Sequence, residues 1–166
     1  MILRRPTLAD KETVLEMMAE FEKFQSPHDG GFWDTENFDY EKWLETNHNK
    51  EMGIGLQENR VPSIQFLLFD ESGRALGFLN LRLRLNEGLL NHAGHIGYSI
   101  RPSERGKGYA KESLRQGLQV AKGKNIKRAL VTCSTENPAS RAVILANGGK
   151  LEDVRNETER YWIELE

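Results

Sequence analysis

The spacing of apolar residues changes several times along the chain and divides it into elements. Ile2 to Arg5 has the length of a short strand and is stopped by Pro6-Thr7. From Thr7, the residues Val14, Met17, Met18, Phe21 and Phe24 recur at the spacing of one helix face. Thr7 or Asp10 can cap that helix, which is predicted to reach about Phe24. Ser26-Pro27-His28-Asp29-Gly30-Gly31 is a loop by composition. Tyr40, Trp43 and Leu44 predict a short second helix, and the polar, mixed stretch Asn47 to Pro62 a connector. Ile64 to Phe69 is an apolar strand bounded by the turn sequence Asp70-Glu71-Ser72-Gly73. Leu79 to Asn86 alternates strictly, with four leucines on one side and four polar groups on the other. That is the pattern of a half-buried antiparallel strand. Glu87 to Ala93 is predicted as loop, and His95 to Ile100 as another alternating strand.

Helical spacing then returns in Ala110, Leu114, Leu118 and Ala121, ending near Gly123. Ala129 to Cys133 suits a buried strand. Asn137 caps and Pro138 opens a last helix, closed by Asn147-Gly148-Gly149. Leu151 to Val154 and Arg160 to Leu165 are closing strands. The order β-α-α-β-β-β-α-β-α-β-β predicts a single α/β domain over residues 1–166 with a mixed sheet.

Composition narrows the function classes. The 166 residues are 38% hydrophobic and 29% charged, a globular balance. Basic residues number 23 and acidic residues 25, for a net charge of −2. No nucleic-acid partner is expected from that balance. No run approaches the ~20 apolar residues of a membrane span, and Met1 to Asp10 lacks a leader's apolar stretch. No membrane partner and a cytoplasmic location are the expectation. Cys133 is the one cysteine, so an internal disulfide and a cysteine-rich zinc module are excluded. His92 and His95 have no evident further ligands, so no metal is expected.

The candidate chemistry sits in Tyr98-Ser99-Ile100-Arg101-Pro102-Ser103-Glu104-Arg105-Gly106-Lys107-Gly108-Tyr109-Ala110, a strand, a turn and a helix start. Gly106 and Gly108 let the backbone approach a ligand. The first helical turn leaves N–H groups unpaired and favours an anion. Arg105 and Lys107 add positive charge. These features describe a phosphate or pyrophosphate cradle. A Walker A loop is absent, because no glycine stands four residues before a Gly-Lys-Ser/Thr. A dinucleotide fingerprint fails at Lys111, where its third glycine belongs.

The same segment resembles the acetyl-CoA signature of the GNAT superfamily of N-acetyltransferases, Arg/Gln-x-x-Gly-x-Gly/Ala. It reads here Arg105-x-x-Gly108-x-Ala110. The strand ending at Cys133, followed by Asn137-Pro138-Ala139-Ser140 and then Asn147-Gly148-Gly149, resembles the family's second element. The element order agrees over nearly the whole chain.

The resemblance implies a mostly antiparallel twisted sheet with helices on both faces. Within it, a central parallel pair, ending at Ile100 and Cys133, splays around an acetyl-CoA slot. It implies pyrophosphate contact by Arg105, Gly106, Lys107, Gly108, Tyr109 and Ala110. Pantetheine would pair along Tyr98, Ser99 and Ile100, and Asn137 and Ser140 would contact the coenzyme. An amine acceptor would attack the thioester directly. The loop from Phe24 to Phe38, with Asp29, Gly30 and Trp33, would cover the acceptor side. Relatives often dimerise, which makes a homodimer an assembly open to this chain.

The proton chemistry departs from the family pattern. Many relatives carry Glu where His95 stands. A histidine there either accepts the amine proton or simply hydrogen-bonds neighbouring backbone. Asp29 and Glu87 are alternative carboxylates. The family's tyrosine in the last helix is replaced by Ile144, leaving Tyr161, water or solvent to serve the thiolate. Tyr161, Trp33, Trp43, Trp162 and Cys133 also have simple packing roles. Arg82 and Arg84 share one side of their strand, where they meet solvent or an acidic group of a ligand. Two further readings stay open: a non-catalytic acyl-CoA sensor, and another phosphate-ligand binder such as a nucleotide module.

Overall fold

The computed structural model describes residues 1–166. Its elements are β1 (Ile2–Arg4), α1 (Lys11–Lys23), α2 (Tyr40–Met52), β2 (Ser63–Phe69), β3 (Ala75–Arg82), β4 (Ile96–Ile100), α3 (Tyr109–Gly123), β5 (Arg128–Ser134), α4 (Pro138–Ala146), β6 (Lys150–Arg155) and β7 (Thr158–Glu164). The expected order of strands and helices is the observed one. Short helical turns add Leu8–Asp10, Leu89–Ala93 and Pro102–Glu104. No helix is long and apolar enough to cross a membrane.

The strands form two sheets, ordered β1-β2-β3-β4 and β5-β7-β6, and every ladder is antiparallel. The expected parallel pair is therefore not a hydrogen-bonded part of either sheet. β4 and β5 are edge strands that share no ladder. One backbone bond joins their approaches, from the His95 N–H to the Leu130 carbonyl at 2.8 Å.

Burial explains the run of β2. Ile64, Phe66 and Leu68 face a core shared with Leu114 and Leu118 of α3. Leu67 and Phe69 face the opposite way, onto Val14, Met17 and Phe21 of α1 and Tyr40 and Trp43 of α2. A strand covered on both faces carries a near-continuous apolar run instead of alternate apolar residues, with Gln65 its buried polar exception.

β3 corrects the expectation of a strand over Leu79–Asn86. It begins four residues earlier, at Ala75, and stops at Arg82. A register shift opposite Leu68 and Phe69 lets its first part change face. Leu79 and Leu81 lie in the core, as the alternation predicts. The opposite side is covered as well: Asn80 is buried and donates to Gln65 Oε1 at 3.3 Å.

Two further boundaries differ. α2 continues to Met52, well into the expected connector, and ends at Gly53 with φ +75°. Only Tyr40 and Trp43 of this helix are buried, so its second half has no apolar period to betray it. The Asp39 carboxylate accepts from the Lys42 N–H at 3.1 Å and fixes its start. The expected loop Glu87–Ala93 contains the helical turn Leu89–Ala93.

The end of β4 is tied to α1 by a buried cation. Arg101 is 1% exposed. Its guanidinium donates to Ala75 O at 3.0 Å, to Glu20 Oε1 at 2.8 and 3.2 Å, and to Glu16 Oε1. Glu20 in turn accepts from the Ser103 N–H and hydroxyl, each at 2.9 Å. This fixes the turn that leads from β4 toward α3.

Candidate active site

A cleft of about 800 Å³ lies between the two sheets, walled by β4, β5 and the starts of α3 and α4. Both flanking strands are sheet edges, so each turns backbone polar groups without a ladder partner toward it. Such groups need partners from elsewhere.

At the floor, the turn into α3 supplies donors. Gly106 and Gly108 have φ of +80° and +84°, a region closed to most side chains. The N–H groups of residues 106–111 have no hydrogen-bond partner in the protein; the first paired amide of the helix is that of Glu112, on Gly108 O at 3.2 Å. Beyond the adjoining residues, nothing lies within 4 Å of a Cβ built on either glycine. The result is a run of consecutive free donors at a positive helix end, with open space above it.

The Arg105 side chain is engaged within the protein. Its Nε donates to Ile100 O at 2.8 Å and its Nη2 to Ser26 Oγ at 2.6 Å. The side chain staples the strand end to the loop after α1, while its residue still borders the cleft. Lys107 does not border it; its ammonium pairs with Glu104 at 2.8 Å.

Tyr98, Ser99, Ile100, Gly106, Gly108, Tyr109, Ala110, Asn137 and Ser140 all line the cleft, as do Asp29 and Gly30. Asn137 caps α4, its Oδ1 accepting from the Ser140 N–H at 3.1 Å. The Tyr98 hydroxyl and Ser140 Oγ are hydrogen-bonded at 2.8 Å, joining β4 to α4 across the cleft. Burial pushes the Tyr98 phenol up to about 12, against the opposing bond to Ser140, so it keeps its proton at neutral pH.

The Asp29-Gly30 loop packs directly on β4. Ser99 Oγ donates to Asp29 O at 2.7 Å, and Gln65 Nε2 to Gly30 O at 2.7 Å. A Cβ on Gly30, whose φ is +79°, would sit 2.3 Å from Gly97 O. Only glycine allows this approach.

Both side chains expected to move protons lie elsewhere. His95 is buried outside the cleft lining, and its Nδ1 accepts from the Leu130 N–H at 2.9 Å. Burial, and then the charge of Arg82, pushes it down to about 4. It bridges β4 to β5 as a neutral ring. Tyr161 is in the core and donates to Glu159 Oε1 at 2.9 Å. Trp33 is outside the lining too; it stacks on His28 at 3.8 Å and donates to Glu22 Oε1 at 2.8 Å.

Several contributors were invisible in the sequence. Glu159 accepts from Arg141 through two bonds of 2.8 Å, from Tyr161, and from the Cys133 thiol at 3.5 Å. The Arg141 pair holds its carboxyl near 2, and burial pushes the Cys133 thiol up to about 11. This cluster fixes α4 to β5 and β7. The register Ser134↔Thr158 brings Thr158 to the cleft, where it hydrogen-bonds His92 Nδ1 at 3.1 Å. Only strand pairing places these residues together, so no local motif signals them. No group of three or more His, Cys, Asp or Glu residues could hold a metal ion.

The family is shown by sequence. The model of the acetyltransferase (GNAT) domain family matches residues 1–150, and the chain belongs to that family. No curated protein sequence matches it. Among solved structures it is similar to a chimera of the spermidine N-acetyltransferase SpeG from Vibrio cholerae and hSSAT, at 18% identity and TM-score 0.65, covering 99% of this chain and 97% of that one. A putative ribosomal-protein-serine acetyltransferase from Vibrio cholerae aligns at 16% identity and TM-score 0.68, over 98% and 92% of the two chains. A putative acetyltransferase from Salmonella typhimurium with its cofactor acetyl-CoA aligns at 14% identity and TM-score 0.63, over 99% and 94%. At these identities the likeness is one of fold.

Proposed function

We propose that the cleft binds acetyl-CoA and that the chain transfers the acetyl group to a primary amine by direct attack on the thioester. The carrying observation is the run of unpaired amides from Gly106 to Lys111, facing a gap between two edge strands. A diphosphate satisfies those donors. The peptide-like pantetheine arm satisfies the free edge of β4 as an added strand, since no β4–β5 ladder occupies that edge. Backbone N–H groups of β4 near Ile100 are the donors for negative charge developing on the thioester oxygen.

For proton transfer, the cleft offers two carboxylates. Glu104 is occupied by Arg74 and Lys107. Asp29 has no ion-pair partner and sits beside β4, so it takes the base role expected of His95. Tyr98, proton-bearing and held by Ser140, takes the acid role expected of Tyr161. Replacing it by Phe is expected to lower kcat by about 10²-fold, a usual size for lost general acid catalysis. Acetyl-CoA affinity should stay within a small factor. Stopped-assay turnover beside calorimetric titration separates the two effects.

A second reading, an acyl-CoA sensor, is favoured by one observation: Ile144 occupies the family's tyrosine position in α4 and is fully buried. Titration calorimetry with acetyl-CoA, ATP and NAD, joined to a thiol-release assay over an amine panel, decides the matter. Binding of acetyl-CoA with amine-dependent thiol release supports the transferase. Tight binding with release no faster than hydrolysis supports the sensor. Preference for ATP or NAD sinks both.

A further inference from the structure

A second cavity, of about 880 Å³, opens beside the cleft and shares Phe32, Arg82 and Ala93 with it. That size suits a small molecule. Its lining contains Lys50, Arg60 and Arg82 and no aspartate or glutamate. None of the three cations has a carboxylate partner, although most arginines of this chain do. Arg82 makes one long bond, donating from Nη1 to Ala93 O at 3.4 Å. Lys50 Nζ sits over the Phe32 ring at 5.9 Å from its centre.

A further donor is unpaired. Asn47 Nδ2 is buried on the same wall and has no hydrogen-bond partner. A buried amide N–H left unpaired is costly, and a native protein keeps few of them. The cavity therefore presents three cations and an orphaned donor, and its charges are uncompensated. Burial, then the charge of Arg60, favours loss of the Lys50 proton, a tension that a bound anion relieves. The adjoining cleft carries the opposite sign at the acceptor loop, where Asp29 lies close enough to influence Arg82.

We infer that the acceptor is a small amine that also bears an oxyanion, a carboxylate or a phosphate. Its anion is held by Lys50, Arg60, Arg82 and Asn47, while its amine reaches past Arg82 to Asp29 and β4. The inference rests on the transferase reading and adds the substrate class. The same site disfavours a polyamine, whose remaining ammonium groups would enter a cavity of like charge.

Matched acceptor pairs test it: 4-aminobutyrate against 4-aminobutyramide, and phosphoethanolamine against ethanolamine, with spermidine as the polyamine. The anionic member of at least one pair should show kcat/KM higher by about tenfold or more, the usual scale for hydrogen bonds to a charged group. Whichever pair shows the larger ratio identifies carboxylate or phosphate. K50Q and R60Q should each cut that ratio several-fold through KM; Arg60 is exposed and Lys50 half-buried, and neither change breaks an ion pair of the fold. Equal or better transfer to the neutral twins or to spermidine overturns the inference and leaves the transferase standing. If no acceptor is acetylated, the same compounds are titrated into protein saturated with CoA. Binding of an anionic member, weakened by K50Q, keeps the site and removes the transferase reading. No binding of either anionic compound overturns the inference.

Discussion

Replacing Gly108 by valine is expected to raise the Kd for acetyl-CoA by about 100-fold or more, from the loss of two or more hydrogen bonds to a charged group at ~1.5–3 kcal/mol each. The residue stands at φ +84°, immediately before Tyr109 opens α3. A β-branched side chain is strained in that region, at a cost of about 1–2 kcal/mol. The backbone can escape only by turning the amides of the cradle away from one another. Beyond the two adjoining residues, no protein atom lies within 4 Å of the added Cβ, so the side chain projects into the space proposed for the diphosphate and meets no packed wall. The fold should therefore survive with a modest stability loss while coenzyme affinity collapses. Calorimetry reads the affinity and thermal melting without coenzyme reads the stability. G108A grades the effect, keeping part of the strain with less obstruction. Unchanged acetyl-CoA affinity in the valine variant would place the coenzyme elsewhere.

The cradle was legible in the sequence because its physics is local. A strand, a glycine-bearing turn and a capped helix sit within about a dozen positions, and a helix start leaves its amides free wherever it occurs. The same holds for Asn137, whose capping role follows from a capping residue set directly before Pro138. The edge character of β4 and β5 was less accessible. The pattern placed both strands correctly but could not say that they would belong to different sheets. Hydrogen-bond partners of a strand are chosen by long-range pairing, and alternation reports only which faces are buried.

His95 and Tyr161 lie outside the cleft lining for a related reason. His95 does precede Ile96-Gly97-Tyr98 at the start of β4. Its ring, however, turns inward to take the Leu130 N–H, a need created by the absence of a β4–β5 ladder. Tyr161 likewise serves Glu159, a carboxylate whose importance depends on Arg141 reaching across from α4. The second cavity is less legible still. It collects Asn47 and Lys50 from the hidden half of α2, Arg60 from the segment after it, and Arg82 from the end of β3. The pattern leaves Arg82 facing solvent or an acidic group of a ligand; its half-buried side chain lines both cavities, an arrangement that alternation along β3 does not report.

Removing the buried cation at the end of β4 is the strongest test of how the scaffold holds the cleft. R101A should destabilise the protein by about 3–5 kcal/mol, the range for breaking one side of a buried ion pair, and lower Tm by roughly 10 °C for a domain of this size. The loss exceeds that of a surface pair because the guanidinium also satisfies Ala75 O, which is then orphaned. Glu20 is left with only Ser103 to face it. Adding E20Q to R101A should recover part of the loss, since an amide is cheaper to strand than a carboxylate. The pH dependence gives an independent reading. Burial would raise the Glu20 pKa, but Arg101 and the two Ser103 donors outweigh it and hold the carboxyl near 2, against an ordinary value of 4.5. Because the folded value is the lower one, the pair's contribution is complete above about pH 4.5. It is lost as the pH falls toward 2. Wild type and R101A should therefore differ most at neutral pH and converge on acidification, as followed by chemical denaturation at stepped pH. A gap that stays constant from pH 7 to pH 3 would mean that Arg101 stabilises the turn by packing alone, and Glu20 would then be free of the role assigned to it.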